Sequence, residues 1–528
     1  MRRLALIFAL VSACNGSQTS DASSPVDARD VPWTHPDVTA TDAAVPPGLQ
    51  VFVTDAIRGE GIPCKLTIRG VNGTPAPDWT GAPDGARDQL GVWLDENDWA
   101  LGSGRWVLMA RGRAHIDLPP GEYELNVTRG AEYALLDLGT VTLTADQGAV
   151  VRGDLRRVIG TEGEIAGEFH VHSAPSFDSD VPLDQRVLSL AVEGVEVFAS
   201  TDHDALGDFQ PAIAALGLEA WIHWMPGDEI TADGFGHFGA YPLPAGVDPA
   251  VDLTHDDPSV SAIVARARGV APNAVIQLNH PLWNDHPIGY WSVAGFDPAT
   301  GMSMMQLFSA FDAVEVWNSH TLDEGPGYVG PDGVIDAWMT TLQMGRGATA
   351  MGNTDTHRLT QSPPGWPRTY LRVPDDDPVH VTDAMVTAAI LGGDAMLTSG
   401  PFLRASIDGM RPGSVARATA GSVTVHIDLQ SVGWTPVDRV EVFANHQMVA
   451  VRNVTAALQD GVRRQSWDVP VPVTRDAWIV VRTRAIDPLS DLAGVHARPL
   501  ESLALVNPIY VDANGDGQWT APGVGNGP

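Results

Sequence analysis

The sequence is almost without lysine, because Lys65 is the only lysine among its 32 basic residues. A phosphate-binding loop of the P-loop type and a Schiff-base mechanism both need a lysine at the reacting centre. Both classes are therefore excluded. Cationic chemistry in this chain has to come from arginine, histidine or a bound metal ion.

Cysteine is equally scarce, with Cys14 and Cys64 as its two positions. Cys64 lies in an apolar, strand-like run at 62–68, where a buried and unreactive thiol is expected. If Cys14 is modified, as argued below, no intramolecular disulfide can form.

Positive charge is also in short supply, since the formal net charge is −33 and the isoelectric point is near 4.6. Such a chain repels nucleic acid and anionic lipid at long range, so we expect no nucleic-acid partner. Acidity by itself names no ligand.

The apolar run at 4–11 is too short for a membrane-spanning helix, which needs about 20 residues. It follows two arginines and leads into Val11-Ser12-Ala13-Cys14, which resembles a bacterial lipoprotein processing site. We therefore predict a lipoprotein-type signal peptide at 1–14 and an exported protein that is lipid-anchored to a bacterial membrane through Cys14. Simple secretion is the alternative.

A length of 528 residues favours several domains. Residues 15–47 are rich in Ser, Thr, Asp, Ala and Pro and read as a flexible tether. β-rich runs separated by turns predict an N-terminal β-sandwich at 48–160 and a C-terminal β domain at 401–528. Between them, residues 164–400 alternate short strands with helical patterns, which is typical of an α/β barrel.

The elements of this central region can be placed from their apolar periods. Strands are predicted at 168–172, 195–200, 221–230, 237–241, 275–279, 313–318 and 349–353. Helices are predicted at 183–192, 209–216, 259–267, 304–311, 335–344 and 382–391, the third of them capped by Asp257 with Pro258 at its first position. This number of units suggests a closed or nearly closed barrel.

The strongest local motif is Glu168-Phe169-His170-Val171-His172. In a strand, residues two apart point to the same face, so the two imidazoles project together. They lie where an α/β barrel places its active site, at the end of a strand. Two histidines in this arrangement suit a metal ion, although an H-x-H alone is weak support.

Polar side chains recur at the ends of the other predicted strands. The further positions are Asp202, His203, Asp204, Glu229, His237, His280, Asp355 and His357. Chance placement of 16 histidines gives no reason for this repeated location. We therefore predict a metal site, with coincidental surface histidines as the alternative.

The ordered set H-x-H, T-D-H, G-x-E, G-H, N-H-P and G-N-T-D-x-H, over residues 164–400, resembles the polymerase-and-histidinol-phosphatase (PHP) superfamily of metal-dependent hydrolases. The N-terminal sandwich and the segment at 314–318 are similar to its carbaryl hydrolase-like (CehA/McbA-type) branch. The resemblance implies an α/β fold: a distorted seven-stranded (β/α) barrel flanked by N- and C-terminal β-sandwich-like domains.

The resemblance also implies two to three divalent ions, of Zn, Mn or Fe. The first ion would be held by His170, His172, Glu229 and Asp355. Glu229 would bridge to a second ion, held also by His237 and His280. Asp178, at a position where many relatives have histidine, would join His203 and His357 at a third.

The implied activity is hydrolysis of an ester-type bond in a small molecule by metal-activated water. Both a carboxylic or carbamic ester and a phosphoester remain open, with a slight preference for the former. Asp202 and Asp204 would fix imidazole tautomers, and one of them would shuttle a proton. Arg358 is the cation placed to meet an anionic substrate, unless it pairs with an acidic loop. The rival class is a catalytically silent, surface-anchored binding protein with a PHP-like scaffold.

A separate motif near the C-terminus, with Asp512, Asn514 and Asp516, begins like a calcium-binding loop. Its twelfth position is Gly523 and not glutamate, so an EF-hand is incomplete. A structural calcium site is the remaining expectation. His223 is interpreted as a core histidine, and Asp285, His286 and His320 as loop residues.

Overall fold

The chain has a mixed α/β structure in which sheets predominate and helices are few. The computed structural model describes residues 47–75, 77, 92–93, 100–103, 105–232, 234–253, 257–283, 288–322, 329–359, 362–494 and 498–528. Cys14 lies outside the described residues, together with the predicted signal peptide and almost all of the predicted tether, as do Asp285 and His286. The export signal and lipid anchor therefore stay predictions.

Two sheets form the amino-terminal part, with strand orders β3-β6-β1-β9 and β4-β5-β2-β7-β8. Their strands are β1 (Leu49–Asp55), β2 (Cys64–Val71), β3 (Val92–Trp93), β4 (Ala100–Ser103), β5 (Trp106–Met109), β6 (Arg113–Ile116), β7 (Gly121–Thr128), β8 (Leu136–Leu143) and β9 (Ala149–Leu155). Burial alternates along β1, and Val51 on β1 shares a hydrophobic cluster with Leu66 on β2. Cys64 is fully buried in that cluster, which raises the pKa of its thiol and keeps it unreactive.

The central region follows. Its strands are β10 (Glu164–Glu168), β11 (Val197–Ala199), β12 (His223–Met225), β13 (Asp228–Ala232), β14 (Gly236–Tyr241), β15 (Val275–Leu278), β16 (Ala313–Asn318), β17 (Thr349–Asn353), β18 (Arg368–Arg372) and β19 (Ala395–Thr398). Its helices are α1 (Leu183–Val192), α2 (Gln210–Leu216), α3 (Pro249–Asp252), α4 (Val260–Val270), α5 (Tyr290–Val293), α6 (Pro331–Gln343) and α7 (Asp383–Gly392), with a short 3-10 helix at His320–Leu322.

These strands lie in two sheets. One contains β12-β11-β10-β18-β19, and the other is β13-β14-β15-β16-β17. Single bridges join them at two points, one between Val171 and Thr356 and one between His203 and Glu229. The strand ladders of the described residues therefore do not form a closed barrel.

The carboxyl-terminal strands are β20 (Phe402–Ile407), β21 (Val415–Arg417), β22 (Ser422–Val432), β23 (Arg439–Ala444), β24 (Gln447–Asn453), β25 (Val462–Pro472), β26 (Ala477–Arg484) and β27 (Ala504–Asp512). β27 pairs antiparallel with β19, so the first central sheet continues into β27-β26-β23-β24. The ladder thus crosses the predicted boundary at 400, and all of the described residues fall in one compact unit.

Two helix predictions in this region are wrong, and the strand predicted at 221–230 forms as two strands, β12 and β13, in different sheets. No helix forms at 304–311, because the backbone N–H groups of Met304 and Met305 bond to the carbonyl of Ala294 and not within a helical turn. Helix α4 is capped by Ser259, whose side chain accepts from the N–H of Ala262, and not by Asp257. In the described residues we find no helix with the length and apolarity needed to cross a membrane.

Candidate metal centre

The H-x-H segment lies just beyond β10, which ends at Glu168. The N–H of His172 donates to the carbonyl of Thr356 at 3.1 Å, and the N–H of Asp355 donates to that of His170 at 3.0 Å. This backbone pairing holds the segment against the loop that follows β17. Both imidazoles are fully buried, so they face the interior and not solvent.

Three overlapping groups of side chains bring ligand atoms close enough to hold a metal ion. They are His170, His172, Glu229 and Asp355; then His203, Glu229 and His237; then His172, Asp178, His203 and His357. Glu229, His172 and His203 each belong to two groups, so the three form one continuous cluster.

The first group is the set that the sequence assigned to one ion. His170 Nε2 lies 3.1 Å from Glu229 Oε1 and 3.2 Å from Asp355 Oδ1. His172 Nε2 lies 3.0 Å from the same Asp355 oxygen and 3.2 Å from Glu229 Oε2. Two imidazole nitrogens therefore face two carboxylates in a buried site, which is the mixed N/O donor set that Zn²⁺, Mn²⁺ and Fe²⁺ accept.

The second group differs from the expectation in one ligand. Glu229 and His237 belong to it as predicted, but the third member is His203. His280 lies at its edge, with Nε2 3.4 Å from Glu229 Oε1. The reason is the β13–β14 hairpin, whose antiparallel register brings Thr231 opposite His237, while the bridge between His203 and Glu229 brings His203 to the same place.

The third group is partly open to solvent. Asp178 accepts from His357 Nε2 at 3.1 Å and lies 3.2 Å from His203 Nε2. Its side chain is 33% exposed, whereas that of His203 is 4% exposed. Asp178 thus occupies the position of the expected third-site ligand at the mouth of the cluster.

Glu315 is the residue that sequence reasoning missed. It is 1% exposed, and its Oε1 lies 2.9 Å from His170 Nδ1. A carboxylate only accepts here, so Nδ1 donates and Nε2 is turned toward Glu229 and Asp355. The signal was a glutamate inside the apolar run of β16, from Ala313 to Asn318.

Side-chain amides complete the surroundings of the carboxylates. Asn318 donates to Asp355 Oδ2 at 3.0 Å and to Glu315 Oε2 at 2.9 Å, and Asn279 donates to Glu229 Oε1 at 2.8 Å. These bonds fix the rotamers of the three carboxylates. They are the preorganisation that a metal site requires.

The pKa values of Glu229, His170 and His172 are shifted by burial and by the charges of neighbouring groups in the cluster. Burial by itself raises the pKa of Glu229, but the imidazoles of His170, His203 and His237 outweigh it and hold that pKa well below its usual range. Burial lowers the pKa of His170, and the carboxylates of Asp355 and Glu229 reverse this and raise it well above its ordinary value. Burial lowers the pKa of His172 to about 4, so this imidazole stays neutral and can act as a ligand.

Several buried polar atoms of this cluster lack a hydrogen-bond partner among the residues that the structure describes. They are His172 Nε2, Glu229 Oε2, His237 Nδ1, His280 Nδ1 and Asp355 Oδ1. Buried polar atoms without partners are costly and rare in native proteins. Their concentration at one place, with the mixed donor set, fits bound divalent cations.

Three residues of the cluster and its loops have left-handed backbone conformations: Asp204, His280 and Asp355, with φ of 48°, 24° and 54°. Such conformations are unfavourable for residues other than glycine and cluster at functional sites. In these conformations Asp355 lies close to the imidazoles of His170 and His172, and His280 lies close to Glu229.

Asp202 has no hydrogen bond to an imidazole within the described structure. Its carboxylate accepts from the N–H and the hydroxyl of Ser173, and burial raises its pKa to about 6. Asp204 accepts from the N–H of Thr231 at 3.3 Å. The tautomer of His170 is thus set by Glu315 and not by the predicted aspartates. Their role as a proton shuttle stays a prediction.

Arg358 is exposed beside His357 at the edge of the cluster. Two aromatic rings lie there as well. Phe177 is 76% exposed and stacks on His203 with ring centroids 4.8 Å apart, and His320 lies 4.7 Å from His357 by the same measure.

The predicted calcium loop is held by hydrogen bonds that its own side chains make. Asp512 accepts from the backbone N–H groups of Gly515 and Gly517, and Asn514 donates to Asp516 at 3.1 Å. A calcium ion at this loop stays a prediction. His223 is 26% exposed and bonds to Asp383 at 2.8 Å, so it is a satisfied histidine near the surface and not in the core.

No protein-family model matches the chain, and no curated protein matches it. Among solved structures, the crystal structure of an engineered protein is 10% identical over 70% of this chain, with a TM-score of 0.15. This chain covers 56% of that structure. A similarity so low carries no argument about fold or function.

Proposed function

We propose that the protein is a divalent-metal-dependent hydrolase that cleaves an ester-type bond in a small molecule. The observation that carries the proposal is the buried cluster of three overlapping ligand groups that share Glu229, His172 and His203. Structural metal sites are closed and seldom share ligands in this way, whereas adjoining sites are typical of hydrolytic centres.

Divalent ions held by the first and second groups would polarise the scissile group and acidify water. The chain's own residues have distinct tasks around that chemistry. Glu315 and Asn318 orient the donors. Burial raises the pKa of Asp178, but its hydrogen bonds with His203 and His357 outweigh this and hold that pKa well below its usual range, so Asp178 is an ionised acceptor at the mouth of the cluster. Burial of His170 and His172 keeps bulk water from competing for the ligands.

We also propose that the central region is a distorted seven-stranded barrel of PHP type. The order β10, β11, β13, β14, β15, β16 and β17 becomes cyclic when the two single bridges are counted as its closures. The ligand groups lie at these bridges, where His203 meets Glu229 and where Val171 meets Thr356. The proposal on the fold and the proposal on the site therefore support one another.

Within this class we favour a carboxylic or carbamic ester over a phosphoester. A phosphate clamp usually needs several convergent arginines. Arg358 is exposed at the rim, and the nearby Arg186 is fully buried, with its Nε donating to the carbonyl of His172 at 2.8 Å. The exposed ring of Phe177 at the same mouth suits an uncharged, partly apolar substrate.

We expect the purified protein to contain about two or more equivalents of transition metal, because the ligand groups converge in a buried, mixed N/O site. Elemental analysis after purification and after reconstitution with Zn²⁺ or Mn²⁺ measures this. Less than half an equivalent under both conditions would contradict the proposed activity and leave the silent binding protein as the better description.

We expect Glu315→Gln to weaken metal binding by about 10- to 100-fold, the usual effect of losing a partner of a metal-bound histidine. All of the contacts of Glu315 are donors: His170 Nδ1, the N–H of His280 and the amides of Asn318 and Asn353. The side-chain NH₂ group of glutamine would face these donors and could not accept from them, so the imidazole of His170 loses its orientation. Competition with a chromogenic chelator gives the metal affinity.

The matched control is Glu441→Gln. Glu441 is 2% exposed and pairs with Arg439 and Arg482 in the C-terminal sheet. Both substitutions should lower the melting temperature, but Glu441→Gln should leave metal affinity unchanged. Equal metal affinity in the two variants would show that Glu315 acts on stability alone.

A further inference from the structure

A candidate ligand site lies in the sheet that contains β10, β11 and β12, at the opposite end from the metal cluster. It is a cavity of about 400 Å³ lined by the loops after β1, β7 and β9 and by the segments that lead into β11 and β12. The metal ligands follow the carboxyl ends of β10 and β11, whereas this cavity lies at the amino ends of β11 and β12. The two sites therefore have no residue in common.

One of the arginines in the cavity wall is fully engaged. Arg157 pairs with Glu132 and with Glu196. Burial, and after it the neighbouring Glu132, raises the pKa of Glu196 to about 7, against the opposing charges of Arg157 and Arg129. Arg157 is thus not available to a ligand.

Arg129 is different. It is 3% exposed, and its Nη1 donates to the carbonyl oxygens of Pro63 and Ala191, while its Nε has no hydrogen-bond partner. It forms no ion pair with any carboxylate in the described part of the chain. A buried guanidinium that is not directly paired with a carboxylate is costly, and an anion in the adjoining cavity would reduce that cost.

The ring of Trp221 lies close to Arg129 and also to a second arginine, Arg58. The guanidinium carbon of Arg129 lies 4.6 Å from the Trp221 ring centroid, and that of Arg58 lies 5.4 Å from it. Arg58 is exposed, and its side chain likewise forms no ion pair with the described residues. Among the described residues, the cavity therefore presents two arginines that form no ion pair and an aromatic ring close to both.

The remaining carboxylates of the wall have backbone partners. Asp55 Oδ1 accepts from the N–H groups of Ile57 and Arg58 at 2.8 Å. Asp376 Oδ2 accepts from the N–H of Gly163 at 2.7 Å, and Asp377 Oδ1 accepts from that of Val379 at 2.9 Å. They do not neutralise Arg58 or Arg129. They do make the cavity unfavourable for a dianion, because a second negative charge would face them at short range.

We propose that this cavity binds a small aromatic carboxylate, with its carboxylate on Arg58 and Arg129 and its ring beside Trp221. Arginine suits this ligand because its planar guanidinium recognises a carboxylate through paired hydrogen bonds and also stacks on aromatic faces. The cavity volume is in the range of small-molecule sites.

The test is calorimetric titration of the purified full-length protein with benzoate. Inorganic phosphate, which has a charge but no ring, and benzyl alcohol, which has a ring but no charge, are titrated for comparison. Benzoate should bind, and Arg58→Met and Trp221→Leu should each weaken it at least about 10-fold, as expected for a charge-assisted hydrogen bond or a stacked ring. Arg266→Met, which removes an exposed arginine paired with Asp257 elsewhere, is the matched control and should bind as the parent does.

A carboxylate can also bind a metal centre, so the titration is repeated on Asp355→Asn, which alters only the cluster at the other end of the sheet. Unchanged benzoate affinity in that variant supports the separate site. Failure of the parent to bind benzoate, equal binding by the parent and by Arg58→Met and Trp221→Leu, loss of binding in Asp355→Asn, or equal competition by phosphate would each overturn the proposal. Melting temperatures establish that every variant is folded.

Discussion

Replacing Glu229 by glutamine should lower the rate of hydrolysis by at least about 100-fold. Loss of a residue that only hydrogen-bonds to a metal ligand typically lowers metal affinity or activity about 10- to 100-fold, and loss of a ligating carboxylate should lower it more. Glu229 is fully buried and belongs to two of the three ligand groups. The substitution keeps the size of the side chain, and its amide oxygen can still accept from Asn279. It removes the negative charge that the first and second groups share.

The assay should use nitrophenyl and naphthyl esters, nitrophenyl phosphate and bis-nitrophenyl phosphate, with metal content and melting temperature measured on the same samples. His223→Gln is the matched control, since His223 pairs with Asp383 outside the cluster. It should retain activity and metal. Near-parental turnover by Glu229→Gln on whichever substrate the parent cleaves would refute the role given to this residue.

Local sequence patterns predicted several elements at their true bounds. Helix α1 and strands β16 and β17 have the predicted limits, because an apolar period or an apolar run bounded by polar residues is a local property. For the histidines of the H-x-H motif, the local pattern predicted the wrong strand bounds. They were predicted inside a strand, but β10 ends at Glu168 because the N–H of Phe169 donates to the side chain of Asn353, a partner 184 residues away.

The difference between local patterns and long-range contacts also explains which features of the metal site were not predicted. The donor types of the cluster could be read from the motifs, but their distribution among groups could not. His203 joins Glu229 and His237 in addition to the expected His280, because a single non-local bridge brings its imidazole to Glu229. Glu315 is visible in the sequence as a charge in an apolar strand. Its partner His170 is 145 residues away, and only the folded chain pairs them.

The single lysine of the chain supports a prediction about stability. Lys65 on β2 and Glu193 at the end of α1 form an ion pair in which both side chains are almost fully buried, at 1% and 3% exposure. Glu193 Oε2 also accepts from Trp366 Nε1 at 2.9 Å. The pair therefore links the amino-terminal sheets to the central region at a place that water does not reach.

Lys65→Met should lower the free energy of unfolding by about 3–5 kcal/mol, because it leaves the Glu193 carboxylate buried without its counter-ion. The double variant Lys65→Met/Glu193→Gln should recover most of this loss, since the amide is uncharged and its oxygen still accepts from Trp366. Arg266→Met, which breaks an exposed pair with Asp257, should change stability by no more than about 1 kcal/mol. Urea denaturation followed by circular dichroism compares the four proteins. A single variant as stable as the parent, or a double variant less stable than the single one, would contradict the argument that the uncompensated charge of Glu193 is what destabilises the chain.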